Sequence, residues 1–418
     1  MQVGLSSILN PPILNPRAPA RALAGISQPF VTMQRVMGTE VLGIGLTGKT
    51  LTDLERRILR ENPPYAVVLF GRNIGEVQQL RDLVAEVKAV AGRPPLFMID
   101  EEGGRVDRLR HLIPGLPSAE AFGEGEQPQE MAEWGGKVIG MALRYFDIEI
   151  DLAPVVDVAG DVSPKGLERR IFGRDPDTVV DLAGAFMRGL HGAGVASCIK
   201  HFPGIGVGTA DPHYGATVLD ISVEELIERH LVPYQRLGRE AGAVMIGHGT
   251  YPQVDVPDLP STLSYRMTTD LLRNFVAFDG IAVSDDMEMH AVSDLGSYEE
   301  LTERALMAGN DVILFCSHIE RIPDIHAFLD RRHAEDAAVA ARFDEAIRRC
   351  EAYRAHCERL RAAAPVPQSW DDVIDEAIRF VEAFEATRPE RDPVALDFDR
   401  RKSTRTPGKG RTGREEWT

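Results

Sequence analysis

Between residues 41 and 316 eight short apolar runs recur, each ending in polar or glycine-containing sequence and each followed by a stretch with helical periodicity. The runs are VLGIGL (41–46), AVVLF (66–70), LFMID (96–100), IDLAPVVDV (150–158), ASCIKHF (196–202), AVMIGHG (243–249), IAVSDD (281–286) and DVILFC (311–316). Between them lie amphipathic segments such as VQQLRDLVAEVKAVAG (77–92) and PDTVVDLAGAFMRGLHGAG (176–194). Strands that alternate with helices over this length predict parallel βαβ units. Eight such units fit a (β/α)8 TIM-type barrel, an α/β fold of roughly 250 residues before insertions. A doubly wound open sheet is the alternative, but eight units exceed its usual count.

The rest of the 418 residues arrange around that repeat. Residues 1–35 contain no acidic residue and several prolines, and read as a flexible leader, since prolines interrupt every candidate for the apolar core of a secretory signal. The barrel is expected over 36–365. A further amphipathic helix, WDDVIDEAIRFVEAFEA, falls within 366–386, and this helix and the helical text before it are expected on the barrel exterior. Residues 387–418 are charged, contain Gly and Pro and lack an apolar period, which predicts a disordered tail. No run approaches the roughly eighteen apolar residues of a membrane span, so no membrane partner is expected. A net charge of −17 argues against nucleic acid, because the field repels phosphate. Cys198, Cys316, Cys350 and Cys357 form no CxxC pair and read as free thiols of a reducing cytoplasm. The histidines form no HExxH motif, and neither a metal nor another cofactor is expected.

In a barrel of this kind chemistry sits where strands end, because the loops there converge on one mouth. The polar groups at those ends are Asp100, the Lys200-His201 pair, His248, and Asp285 with Asp286. A lone aspartate at a strand end is ordinarily a helix cap or loop residue. Several charged groups aimed at one mouth need a ligand or a mutual network. Asp285 leaves a buried strand and can act as a nucleophile if nearby cations keep it ionised. Asp286, followed by Glu288, reads as a capping or loop acid. In Asp211-Pro212-His213 the carboxylate can orient the imidazole as a general acid/base, although Asp-x-His also occurs as a plain turn.

Four segments carry a family resemblance: IDEEGGRVDRLR (99–110), RRIFGRDP (169–176), KHFPGIGVGTADPH (200–213) and IAVSDDMEM (281–289). In this order and at this spacing they resemble glycoside hydrolase family 3, specifically the single-domain bacterial β-N-acetylhexosaminidases of peptidoglycan recycling. The resemblance implies a retaining, exo-acting glycosidase that removes terminal β-linked N-acetylglucosamine through a covalent glycosyl-aspartate. It implies Asp285 as nucleophile, His213 as acid/base and Asp211 as its partner. Asp100, Arg108, Arg170, Lys200 and His201 would hold the sugar's hydroxyls and acetamido group. The expected partner is a carbohydrate, the expected state a monomer.

Two positions depart from the family pattern: Ile205 replaces a histidine and Pro212 a serine. Pro212 restricts Asp211 to extended conformations, so both changes bear on the leaving-group side of the site. The glycines at 204, 206 and 208 suggest a loop that closes over substrate and reopens. The rival readings are a β-glucosidase or β-xylosidase of the same family and a catalytically silent sugar-binding barrel. The first typically draws its acid/base carboxylate from a second α/β domain, for which too few residues follow position 320. The second sits poorly with the presence of both Asp285 and His213.

Overall fold

The computed structural model describes residues 40–161, 166–208 and 217–388. The leader expected over 1–35 lies outside these residues, as does nearly all of the tail expected over 387–418. The strands are β1 (Leu42–Gly45), β2 (Ala66–Leu69), β3 (Leu96–Ile99), β4 (Ile150–Asp151), β5 (Ala196–Ser197), β6 (Ile199–Phe202), β7 (Ala243–Ile246), β8 (Ile281–Asp286) and β9 (Val312–Phe315). Each predicted apolar run contributes a strand, and the run 196–202 contributes two. Cys198 separates them; its N–H is shared between the carbonyls of Asp151 at 2.9 Å and Ala153 at 3.1 Å.

Every strand pairing is parallel. The spatial order is β5-β4-β3-β2-β1-β9-β8-β7-β6, so both ends of the sheet come from the single run 196–202. A parallel bridge from Val155 to Lys200 draws those ends together, and the sheet forms a nearly closed barrel flanked by helices. Such strands are buried on both faces, and this is why they read as continuous apolar runs rather than as alternation.

The two faces nevertheless separate by phase. Ala66 and Val68, Leu96 and Met98, Ala196 and Cys198, and Ile281 and Val283 meet in one buried cluster, the barrel interior. Their neighbours Val67, Phe97, Val244 and Ala282 join the larger cluster beneath the helices. Because strand side chains alternate with period two, the same inward series runs on to Asp100 just past β3, to Lys200 within β6 and to Asp285 within β8.

The C-terminal helices take different places, and one departs from its expected exterior position. The helix Ala337–Ala363 contributes Cys350, Tyr353 and Cys357 to the interior cluster, closing the end of the barrel opposite the site. Its Tyr353 hydroxyl donates to the carbonyl of Ser197 at 2.9 Å, and Tyr65 donates to the carbonyl of Cys350 at 2.9 Å. An open strand end exposes apolar side chains, and a helix with a narrow apolar stripe is the element that covers them. The helix Trp370–Ala386 does lie outside, against Pro128–Tyr145, with Phe380 edge-on to Trp134 at 5.7 Å. Among the described residues no helix is long and apolar enough to cross a membrane.

Candidate active site

The site is built outward from Lys200. Its side chain is 1% exposed, and its Nζ lies 2.6 Å from both Asp100 Oδ1 and Glu102 Oε1. Glu102 is in turn gripped bidentately by Arg170, Nε to Oε2 at 2.7 Å and Nη2 to Oε1 at 2.8 Å. Two cations thus face two carboxylates. Burial alone would raise the Glu102 carboxyl, but Arg170 and then Lys200 outweigh it and hold it far below the usual carboxylate range. The reciprocal effect holds Lys200 charged: burial opposes its charge, and Asp100 and Glu102 more than restore it.

The motif RRIFGRDP delivers Arg170 to this lattice. Asp175 caps the helix Pro176–Gly192 by accepting from the Thr178 N–H at 2.9 Å, and Pro176 supplies a preset φ at the first position. Arg170 lies just before that cap and also donates to the carbonyl of Gly166 at 2.8 Å.

His201, next along β6, is oriented by Asp157, whose Oδ2 lies 2.9 Å from Nδ1. The other oxygen of Asp157 accepts from the Ile205 N–H at 2.8 Å, so one fully buried carboxylate fixes both His201 and the start of the following loop. His248 is buried too. Its Nε2 is 2.9 Å from the carbonyl of Asp286, which can only accept, so that nitrogen carries hydrogen and Nδ1 faces Thr262 Oγ1 at 2.6 Å. Burial pushes the His248 ring below its ordinary value, with Asp285 opposing.

Asp285, next to last in β8, lies among these groups. Burial would raise its carboxyl; His248, then His201, the Asp286 N–H and Lys200 outweigh that, and the group is held below the usual carboxylate range. Of these neighbours Lys200 stays charged at every working pH. Asp286 is treated oppositely: burial, with Glu288 and Asp285 adding repulsion, pushes it up to about 7. Its Oδ1 accepts from the N–H groups of Glu288 at 3.1 Å and Cys316 at 3.3 Å, as expected of a loop acid. Adjacent carboxyls are thereby driven apart, one ionised and one protonatable, a separation typical of working sites.

Arg108 is half-buried, and its Nε is buried without a hydrogen-bond partner. Its backbone N–H donates to Glu101 Oε2 at 2.7 Å. Of the residues singled out from sequence, Asp100, Arg170, Lys200, His201 and Asp285 meet at the mouth. Asp211 and His213 fall outside the described residues.

The loop glycines are explained in part by crowding. Gly204 adopts φ +119°, and a Cβ there would sit 3.0 Å from the Cβ of His230; at Gly206 it would sit 2.2 Å from the carbonyl oxygen of Val158. Ile205 is 4% exposed within the main core, so this departure from the family pattern seats the loop rather than facing the mouth.

Three contributors were missed in the sequence. Glu102 lies inside a quoted motif, and its signal was there to be read. Asp157 sits within an apolar run, and His248 was noted at a strand end without a role.

The family model for the glycosyl hydrolase family 3 N terminal domain matches residues 38–350. A beta-hexosaminidase of Pseudomonas aeruginosa is 37% identical over 283 residues, 68% of this chain and 83% of that protein. One from Stenotrophomonas maltophilia is 36% identical over 298 residues, covering 70% and 88% respectively. Among solved structures, a family 3 β-N-acetylglucosaminidase from Paenibacillus sp. superposes with TM-score 0.76 at 28% identity, covering 84% of this chain and 69% of that one. NagZ from Neisseria gonorrhoeae, in complex with N-trifluoroacetyl-D-glucosamine, superposes with TM-score 0.63 at 27% identity, covering 78% and 98%. The nearly closed parallel barrel, with Asp285 late in β8 and Lys200 in β6, therefore belongs to a glycosidase, and the chain is a member of glycosyl hydrolase family 3.

Proposed function

We propose that the chain is a retaining, exo-acting β-N-acetylhexosaminidase that removes terminal β-linked N-acetylglucosamine, with cell-wall muropeptide fragments as its source of substrate. The observation that carries this reading is the carboxylate of Asp285, held ionised at the end of an inward-facing series beside Lys200, His201 and His248. Such a group attacks the anomeric carbon to form a glycosyl-aspartate. His213, oriented by Asp211, protonates the departing oxygen and then deprotonates the hydrolytic water. Retaining pairs of two carboxyl groups work at a separation of about 5 Å, and in this reading the histidine takes the place of one of them.

Asp100, Lys200, His201 and Arg108 take the hydroxyls and acetamido group of the terminal sugar. Arg170 acts through Glu102, to which both of its forked nitrogens are committed. The preference for N-acetylglucosamine rests on the beta-hexosaminidase relatives and on the N-trifluoroacetylglucosamine complex of a structural neighbour. In this reading the enzyme works as a cytoplasmic monomer. Its four cysteines are free and buried, which suits a reducing compartment.

The test is a panel of aryl β-glycosides. Turnover of the N-acetylglucosaminide well above the glucoside and xyloside is expected. A preference for either of those makes the chain another family 3 β-glycosidase, and silence on all three overturns the enzymatic reading.

A further inference from the structure

We propose that Glu101 and Asp107 share a single proton, and that this carboxyl–carboxylate bridge is the positioning device for Arg108 at the sugar-binding mouth. The inference rests on the proposed function only for its kinetic readout.

The two side chains are 0% and 4% exposed. One oxygen of each is committed to backbone amides. Glu101 Oε2 accepts from the N–H groups of Arg108 at 2.7 Å and Leu109 at 3.0 Å, and Asp107 Oδ2 accepts from Leu116 at 3.4 Å. The remaining oxygens, Glu101 Oε1 and Asp107 Oδ1, are buried with no N–H or hydroxyl donor. Glu101 Oε2 is bonded to the amide of the residue that follows Asp107, which brings the two buried carboxyls together, and each acts on the ionisation of the other. Two carboxylates cannot hydrogen-bond, because neither has hydrogen to give. One proton between them resolves both orphaned oxygens and leaves a single buried charge.

The surroundings favour that state. Around Glu101 the charged groups are Asp107 and the buried Asp151, whose Oδ1 accepts from the Glu101 N–H at 3.0 Å. Arg110 acts on Asp107, while Lys200, Asp100 and Glu102 act on Asp151. No cation is paired with Glu101 itself among the described residues, and burial pushes both carboxyls up, with Asp107 the next cause for Glu101.

The bridge closes a compact loop. Gly103 and Gly104 reverse the chain with φ of +77° and +57°, and the Gly104 N–H donates to the carbonyl of Leu116 at 2.9 Å. Arg108 leaves from this clasp with its Nε unpaired. Losing the shared proton places two negative charges in one buried space and repels the strand end from the loop. Arg108 then loses its position while Asp285 keeps its own neighbours.

The experiment follows KM and kcat for an aryl N-acetyl-β-glucosaminide against pH in the wild type, Glu101→Gln and Asp107→Asn. Each amide supplies a permanent donor across the bridge, and in Glu101→Gln the side-chain carbonyl oxygen still accepts from both backbone amides. Wild-type KM is expected to rise on the alkaline side by up to about tenfold per pH unit, the limit for one proton, with kcat changing less. Both variants should hold KM flat over the same range. A variant profile that follows the wild type overturns the proposal. In infrared difference spectra in D2O, wild type minus Glu101→Gln should show the C=O band of a protonated buried carboxyl near neutral pH. Absence of that band overturns the bridge whatever the enzyme hydrolyses, whereas a band without any glycoside turnover leaves the bridge standing and removes the functional reading.

Discussion

Asp285 and Lys200 illustrate what a single residue owes to its position. Both are continuations of inward-facing series, and both are ionised because their neighbours outweigh burial. Asp285→Ala should therefore lower kcat by on the order of 10⁴-fold or more, since Asp100 and Glu102 at the mouth are salt-bridged to Lys200 and Asp286 is pushed up to about 7 by burial. His213→Ala should cost roughly 10²–10⁴-fold on a substrate with a poor leaving group and far less on an aryl glycoside with a good one, because only the former needs protonation. Equal losses on the two substrates would remove His213 from the acid role. At this scale the strand-end residues Asp100, Lys200 and Asp285 were legible, because period-two alternation and strand-end polarity are local properties. Asp157 was not, since its service to His201 crosses from one strand segment to the next.

Whole elements are tied at the opposite end of the barrel. Asp311, fully buried before β9, accepts from Arg273 at 2.5 Å, Arg342 at 2.6 Å and the Ala282 N–H at 2.9 Å. It thus joins β8, the helical segment around Arg273 and the closing helix Ala337–Ala363. Asp311→Ala leaves the buried Arg273 guanidinium without a carboxylate partner and takes one of two from Arg342, at a cost of about 3–5 kcal/mol in chemical denaturation. KM of the folded fraction should not change, because the mouth lies at the other end of the strands. A matching loss in KM would show that the two ends are coupled. The existence of the closing helix was legible from its periodicity. Its location was not, because its apolar stripe is satisfied equally by a barrel flank or a barrel end, and only the exposed interior cluster distinguishes them.

For the molecule as a whole, the buried acids pull stability in opposite directions with pH. The folded-state value of Glu102 lies below its unfolded one, so its contribution is complete above the ordinary glutamate range and is lost as pH falls toward the folded value. Asp286 behaves inversely. With a folded value of about 7, its contribution is complete below the ordinary aspartate range and is lost as pH rises through about 7. Asp286→Asn should therefore gain Tm relative to the wild type between about pH 5 and about pH 8, and a constant difference across that interval would contradict the assignment. The amino-acid sequence by itself determined the βα repeat, the barrel and the family motifs, because these follow from local periodicity and short-range spacing. Tertiary structure decided which charge meets which: Arg170 on Glu102 rather than free, Asp157 on His201, Glu101 against Asp107. Those pairings depend on how barrel closure brings distant strand ends together and on how deeply each carboxyl is buried, and neither is written in the spacing of residues along the chain.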